Sequence, residues 1–208
     1  MTKDRGAGRD KGAAIHVRPE SAADAGAIRD LTFAAFRGMP YADGDEHVLV
    51  DRLREAGALT VSLVAEREGR VVGHVAFSPA DAEGWFARGP GSVLPAHQRR
   101  GIGSSLIRAG LAALGNARGC ILVGDPKVYE RFGFELAPDL APPGMPAAYF
   151  MLKLMRGPRP ERPVAFHEAF STPPDPPPKG PRGRPPGRLV ADCHVRCADP
   201  PGPRGHGM

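Results

Sequence analysis

Chemistry is first legible where an apolar stretch, Ser92-Val93-Leu94, stops at Pro95 and the basic turn Gln98-Arg99-Arg100-Gly101-Ile102-Gly103 leads into an amphipathic segment. Glycines at 101 and 103 remove Cβ atoms where backbone must approach a ligand closely. The first N–H groups of a helix starting there have no intrahelical acceptor, and the helix dipole favours an anion in front of them. Arg99 and Arg100 add two cations at the same end. This pattern suits a phosphate. A Walker loop needs a Lys-Ser/Thr pair after its glycines, whereas Ser104-Ser105 follows Gly103. A dinucleotide fingerprint needs a third glycine, where Leu106 stands. Asp125 lies at a distance that fits a ribose-binding acid, but no matching glycine pattern supports that role. What remains is a Gln/Arg-x-x-Gly-x-Gly cradle, or an ordinary glycine-rich turn carrying surface arginines.

The elements that must hold this turn follow from hydrophobic period. Residues 15–18 alternate as a short strand stopped by Pro19, and Ser21 is placed to cap a helix running to Phe36. Gly38-Met39-Pro40 breaks it, and a second helix is expected over residues 45–56. Residues 59–66 and 70–78 read as an antiparallel hairpin turning at Glu68-Gly69. A fourth strand spans residues 85–94 and is interrupted by Gly89-Pro90-Gly91. The helix over residues 101–114 has the wide apolar face of one packed on a sheet. Residues 120–123 form a continuous apolar run, the mark of a buried strand parallel to its neighbour across that helix. A short helix over residues 127–132 and two last strands, residues 148–154 and 163–167, complete the order.

With 208 residues and 41% apolar content, the chain suits one domain with length to spare. The organisation expected is a disordered leader (1–14), a folded domain (15–170) and a Pro/Gly/Arg-rich disordered tail (171–208). A net charge of +5 suits anionic partners without choosing among them. Three cysteines, Cys120, Cys193 and Cys197, suggest no disulfide framework. Cys193-His194-x-x-Cys197 matches no common zinc frame, so no metal is expected. No apolar run is long enough for a bilayer and the charged start lacks the apolar core of a signal peptide, so a cytoplasmic location is expected. Lys179, Arg182, Arg184 and Arg188 offer charge for an acidic partner, but without interleaved aromatics nucleic acid is disfavoured.

A second signature, Val128-Tyr129-Glu130-Arg131-Phe132-Gly133-Phe134, lies downstream of the cradle. It resembles the Tyr-x-x-x-Gly-Phe that closes the core of the GNAT acyl-CoA N-acetyltransferases, and the cradle resembles their pyrophosphate loop. With Gly73-His74-Val75-Ala76-Phe77-Ser78-Pro79, Gly124-Asp125-Pro126 and Phe166-His167-Glu168-Ala169-Phe170, residues 15–170 resemble the YhbS-like branch of that superfamily. The resemblance implies an α/β fold, a mixed central sheet flanked by helices in which parallel strands four and five splay apart around acetyl-CoA. It implies direct attack on the thioester by a primary amine of a small molecule or peptide, in a monomer or homodimer. Val93, Leu94, Gln98, Arg99, Arg100, Gly101, Ile102, Gly103, Ser104, Asp125 and Tyr129 are its implied acetyl-CoA contacts, and a backbone N–H near Val93 its oxyanion-type donor. Tyr129 fits the general acid for the departing thiolate, the alternative being a core tyrosine packed on Phe132 and Phe134. Glu46, His74 and Glu83 are candidates for the base, alongside ordered water, and His74 reads equally as a satisfied histidine on the sheet. Residues 36–45 and 145–150 are the implied acceptor wall, with Met39, Tyr41, Met145, Tyr149 and Phe150 in it. Gly91 departs from the pattern, which carries a larger apolar residue there; it either loosens acceptor binding or marks close approach of a ligand. A non-catalytic acyl-CoA sensor on the same fold is the rival reading.

Overall fold

One mixed sheet of seven strands, in the order β1-β2-β3-β4-β5-β7-β6, organises the computed structural model, which describes residues 14–39, 42 and 44–171. Residues 1–13 of the expected leader and 172–208 of the expected tail, with the metal-capable Cys193-His194-x-x-Cys197, lie outside these residues, as does Tyr41. The strands are β1 (His16–Pro19), β2 (Val61–Arg67), β3 (Arg70–Pro79), β4 (Trp85–Val93), β5 (Gly119–Val123), β6 (Glu135–Leu136) and β7 (Phe150–Leu154). The helices are α1 (Ala25–Phe36), α2 (Glu46–Glu55), α3 (Ile102–Ala113) and α4 (Pro126–Tyr129). All neighbouring strands pair antiparallel except β4 and β5, which are parallel. That single parallel pair needs a crossover, and α3 provides it. No helix among the described residues is long and apolar enough to cross a membrane.

The period-two reading of the β2–β3 hairpin holds from Gly73 onward, with Leu63 opposite Val75 and Ala65 opposite Gly73. A register shift between Ala65 and Glu66 interrupts it, so Val71, expected on the same face, packs instead with Ile28, Val50 and Val64, and Val72 joins the cluster of Val75 and Phe77. Gly73, Val75 and Phe77 turn toward α3, whose Ile102, Leu106, Ile107 and Leu111 are buried against that face. The fit leaves no space: a Cβ on Gly110 of α3 would stand 2.2 Å from the Phe77 ring, and one on Gly73 3.0 Å from Leu106. Truncating Leu106 to alanine in such packing costs about 2–5 kcal/mol. Trp85, Ala87, Ile121, Val123, Phe150 and Leu152 build a second core on the other face.

Four expectations need correction. Ser21 does not cap the long helix; with Asp24 it forms a capping box that opens a 3-10 turn (Ala22–Asp24), after which α1 begins at Ala25. The helix expected at 127–132 is split into α4 and a 3-10 turn (Glu130–Phe132) closed by Gly133 in left-handed backbone. Residues 147–149 form a 3-10 turn, so β7 starts at Phe150. Residues 163–167 are no strand. Pro163 has no N–H to donate, Val164 bonds instead to Leu140 O (3.0 Å), and Ala165 to the Asp81 carboxylate (2.7 Å). The segment leads into a 3-10 turn that packs Ala169 and Phe170 on Leu49 and Leu53 of α2. The missing strand is β6, two residues paired with β7.

Candidate active site

β4 and β5 stay together only over Trp85–Ala87 and Gly119–Ile121; beyond Ala87 and Ile121 they separate. The cause is visible in β4. Between Val75 opposite Gly91 and Phe77 opposite Arg88, β4 carries one residue more than β3. This is a bulge at Gly89-Pro90, where Pro90 has no N–H for a ladder. Past the bulge, the Leu94 N–H bonds to Val72 O at 3.0 Å, so Leu94 and Val72 form a hydrogen-bonded pair and the next opposed pair, Val93 and Gly73, does not. The N–H and C=O of Val93 therefore face away from β3, toward the gap between β4 and β5. The Val93 carbonyl accepts from Gln98 Nε2 (3.0 Å), and its N–H is aimed at whatever occupies the gap. Leu94 is half-buried with its own N–H spent on Val72.

At the end of β4 the chain makes a 3-10 turn (Pro95–His97) and reaches the cradle. Arg99 (φ 59°) and Gly101 (φ 80°) both take left-handed backbone, rare for a non-glycine and typical of ligand clamps and of concavities lined with N–H groups. Gly101 is the N-cap of α3, so Ile102, Gly103 and Ser104 present the first-turn N–H groups. Ile102 and Gly103 are buried, while the Arg99 and Arg100 side chains are exposed. Arg131, given no role in the sequence reading of its signature, lies across the same helix start: its Nη2 donates to Ser104 Oγ (3.4 Å) and its guanidinium stacks on Phe132.

The other strand of the gap ends at Gly124-Asp125-Pro126, each with an assignable task. A Cβ on Gly124 would lie 2.3 Å from the Tyr129 ring, so glycine there lets the ring lie on the backbone. Asp125 caps α4, its carboxylate accepting from Lys127 N (3.0 Å), and Pro126 occupies the first helical position. Asp125 thus stands beside the gap with its carboxylate already engaged. Tyr129 is fully buried, edge-on to Phe134 (6.0 Å between centroids), and its phenol oxygen accepts from Arg88 Nη1 at 2.6 Å. Tyr129 therefore packs in the core, and its oxygen also makes a polar contact with Arg88.

Arg88, buried and bonded to Tyr129, is the residue of this region that the sequence reading passed over. Its signal was one cation in the apolar strand start Trp85-Phe86-Ala87, followed three residues later by the anomalous Gly91. A Cβ on Gly91 would stand 2.1 Å from Arg88 Nη2. The close approach that Gly91 permits is made by this guanidinium.

The candidate bases separate. Glu83 is exposed and precedes β4, at the end opposite the cradle and Tyr129. Glu46 is buried in the first turn of α2, which packs against β4. His74, on β3 opposite Ser92, is buried within a relay: Ser62 Oγ donates to Glu20 Oε2 (2.5 Å) and is 2.9 Å from His74 Nε2, while Arg54 donates to both Glu20 oxygens. With the Ser62 proton committed to Glu20, His74 Nε2 donates, and its Nδ1 has no partner among the described residues. Burial holds the imidazole below the ordinary histidine value against the pull of Glu20, so it is neutral at pH 7. Burial alone would raise the Glu20 carboxyl, but hydrogen bonds from His74, Arg54 and Ser62 outweigh it and hold the group at about 2. Among the described residues, no group of three or more His, Cys, Asp or Glu side chains is placed to hold a metal ion.

A sheet opened between two parallel strands, with a cradle of N–H groups at the mouth, defines a class that the comparisons identify. Residues 59–136 match the model of the acetyltransferase (GNAT) domain. The chain is 31% identical over 195 residues to YjhQ, an uncharacterized N-acetyltransferase of Escherichia coli K12, covering 89% of this chain and 92% of that protein. It is 42% identical over 99 residues to the uncharacterized N-acetyltransferase YhbS of the same organism, spanning 44% of this chain and 59% of that relative's length. Among solved structures, a GNAT family acetyltransferase from Brucella melitensis in complex with acetyl-CoA superposes with a TM-score of 0.68 at 46% identity, over 76% of this chain and 99% of that one. YhbS of E. coli in complex with CoA superposes with a TM-score of 0.69 at 33% identity, over 78% and 95%. The chain belongs to the GNAT acetyltransferase family.

Proposed function

We propose that this protein transfers an acetyl group from acetyl-CoA to a primary amine of a small molecule or peptide by direct attack on the thioester. The observation that carries this is the geometry at Val93: a strand edge freed by the β4 bulge aims a backbone N–H into the gap between the cradle and Tyr129. In this reading Gln98–Gly103 and the first turn of α3 hold the pyrophosphate, through backbone N–H groups with Arg99, Arg100 and Arg131 closing over it. The Val93 N–H then faces the oxygen on which negative charge develops as nitrogen adds to the acyl carbon. As the carbon–sulfur bond breaks, Tyr129 gives its proton to the leaving sulfur. The amine arrives deprotonated or loses its proton through water, with buried Glu46 and the Nδ1 of neutral His74 as the candidate acceptors. The solved acetyl-CoA and CoA complexes of similar chains support the donor.

Calorimetric titration with acetyl-CoA tests the cradle. The wild type is expected to bind saturably, and the double variant Arg99→Glu/Arg100→Glu, both on exposed side chains, to bind at least tenfold more weakly. No heat with the wild type up to millimolar acetyl-CoA would sink the reading. Thiol release from acetyl-CoA across a panel of primary amines then separates enzyme from sensor: Tyr129→Phe is expected to lower kcat by roughly 10²–10⁴. Binding without turnover for every amine would favour the sensor.

A further inference from the structure

We propose that Arg88 is a positioning residue that makes Tyr129 a competent proton donor, and that Gly91 gives the guanidinium its seat; this rests on Tyr129 being the acid. Arg88 is the first residue of β4 beyond the last pair with β5, and it is 2% exposed. Arginine has no acceptor, so in the 2.6 Å contact Nη1 donates and the phenol oxygen accepts. The phenol hydrogen must then point to another acceptor. The guanidinium carbon also lies 5.2 Å from the Tyr129 ring centroid.

Shape locks the pair. A Cβ at residue 91 would meet Nη2 at 2.1 Å and Cζ at 2.9 Å, so any side chain there forces the guanidinium to shift from this position. A Cβ at residue 124 would meet the ring at 2.3 Å, so glycine there leaves the room the ring occupies. Two glycines, on β4 and after β5, are thus matched to one arginine and one tyrosine.

The consequence lies in the proton step. Nitrogen forms its bond to the acyl carbon, the carbon–sulfur bond breaks with its electron pair on sulfur, and the proton leaves Tyr129 Oη for that sulfur. A phenolate remains, to be reprotonated from solvent. A free phenol titrates near 10 and a thiol near 8.5, so the transfer is uphill by about thirtyfold. A guanidinium already donating to the phenolate oxygen offsets that gap through a charge-assisted bond. The other titratable groups near the pair do not replace it. Cys120 of β5 is a neutral buried thiol and His74 of β3 a neutral imidazole. Glu46 is on α2, Lys153 acts on Cys120 from β7, and Asp125, Lys127, Glu130 and Arg131 flank Tyr129 in its own segment.

The test compares wild type, Tyr129→Phe, Arg88→Lys and the double variant Arg88→Leu/Gly91→Val, which fills the vacated space with apolar atoms. Tyrosine ionisation is followed by ¹³Cζ-tyrosine resonances on the full chain, with Tyr129→Phe assigning the signal. The double variant is expected to move that titration up by one pH unit or more, and Arg88→Lys to restore part of the shift. In thiol-release assays with acetyl-CoA and small primary amines, the double variant should lower kcat at least tenfold. Its basic limb should move to higher pH, with KM for acetyl-CoA within threefold. An unmoved Tyr129 titration, or a fall in kcat with an unmoved limb and no rescue by lysine, overturns the proposal while leaving Tyr129 as the acid. Full activity in Tyr129→Phe removes the acid reading itself, and the proposal with it.

Discussion

A thiol buried on β5, beside the gap proposed to hold acetyl-CoA, raises the question of where the acyl group goes. Cys120 has no exposed surface, and burial pushes its thiol up to about 12. It is therefore protonated at neutral pH and shielded, the opposite of a nucleophilic cysteine. Direct transfer predicts that Cys120→Ala keeps kcat within about threefold and that intact-mass spectrometry finds no acetylated protein after mixing with acetyl-CoA. A stable acetyl adduct lost with Cys120 would argue for a covalent route. The same scale shows where the sequence stops being readable. The cradle, Tyr129 and the anomaly at Gly91 were all visible as residue types in order. The reason for Gly91 was not, because it depends on how far the Arg88 side chain reaches across a bulge, and spacing alone does not encode that reach. Likewise Glu83 and Glu46 are alike on paper, and only burial separates them.

At the scale of elements, α4, which carries Tyr129, has only four residues, too few for a helix to stabilise itself. Its place is set by the Asp125 cap, Pro126, the Gly133 stop and the seat of Tyr129 on Gly124. Gly124→Ala is therefore expected to cost about 1–3 kcal/mol by overpacking. It should lower kcat tenfold or more by displacing Tyr129, while the dissociation constant for acetyl-CoA, set chiefly by the backbone N–H groups of the cradle at the start of α3, stays within threefold. Thermal melts, kinetics and calorimetry on one preparation measure all three; equal losses in binding and turnover would count against this division. The long periodic elements, β2, β3 and α3, were legible because their faces are buried over several repeats. Two-residue β6 leaves no period to detect. Residues 163–167 have strand composition, but loop acceptors took their hydrogen bonds. The splay of β4 from β5 was expected from resemblance; its physical origin, one extra residue at Gly89-Pro90, became visible only with the register.

Across the whole molecule, the first three strands and both N-terminal helices are tied together by charge. Arg18 bridges Asp24 and Glu66, and Arg54 of α2 reaches Glu20 beside β1, which also serves Ser62 of β2 and, through it, His74 of β3. The Arg18 hydrogen bonds hold the Asp24 carboxyl well below the usual carboxylate range. Glu20 is held at about 2, and burial lowers His74 below 6.5. All three groups bind protons less readily folded than unfolded, so stability falls as pH falls. His74 contributes first, below pH 6.5, because the unfolded imidazole protonates while the buried one resists. The Glu20 contribution is complete above about 4.5 and drains away as pH approaches about 2. Thermal melts from pH 7.5 to pH 3 should therefore show Tm declining in two overlapping stages. His74→Leu should flatten the stage between pH 6.5 and 5. Glu20→Gln should flatten the stage below 4.5 and lower stability at pH 7 by on the order of 2 kcal/mol, discounted because the carboxylate is partly solvated. A Tm that holds steady from pH 7 to pH 4 in the wild type would mean these groups keep partners of equal strength in the unfolded chain. The network would then fix the position of β1 and α2 without stabilising it.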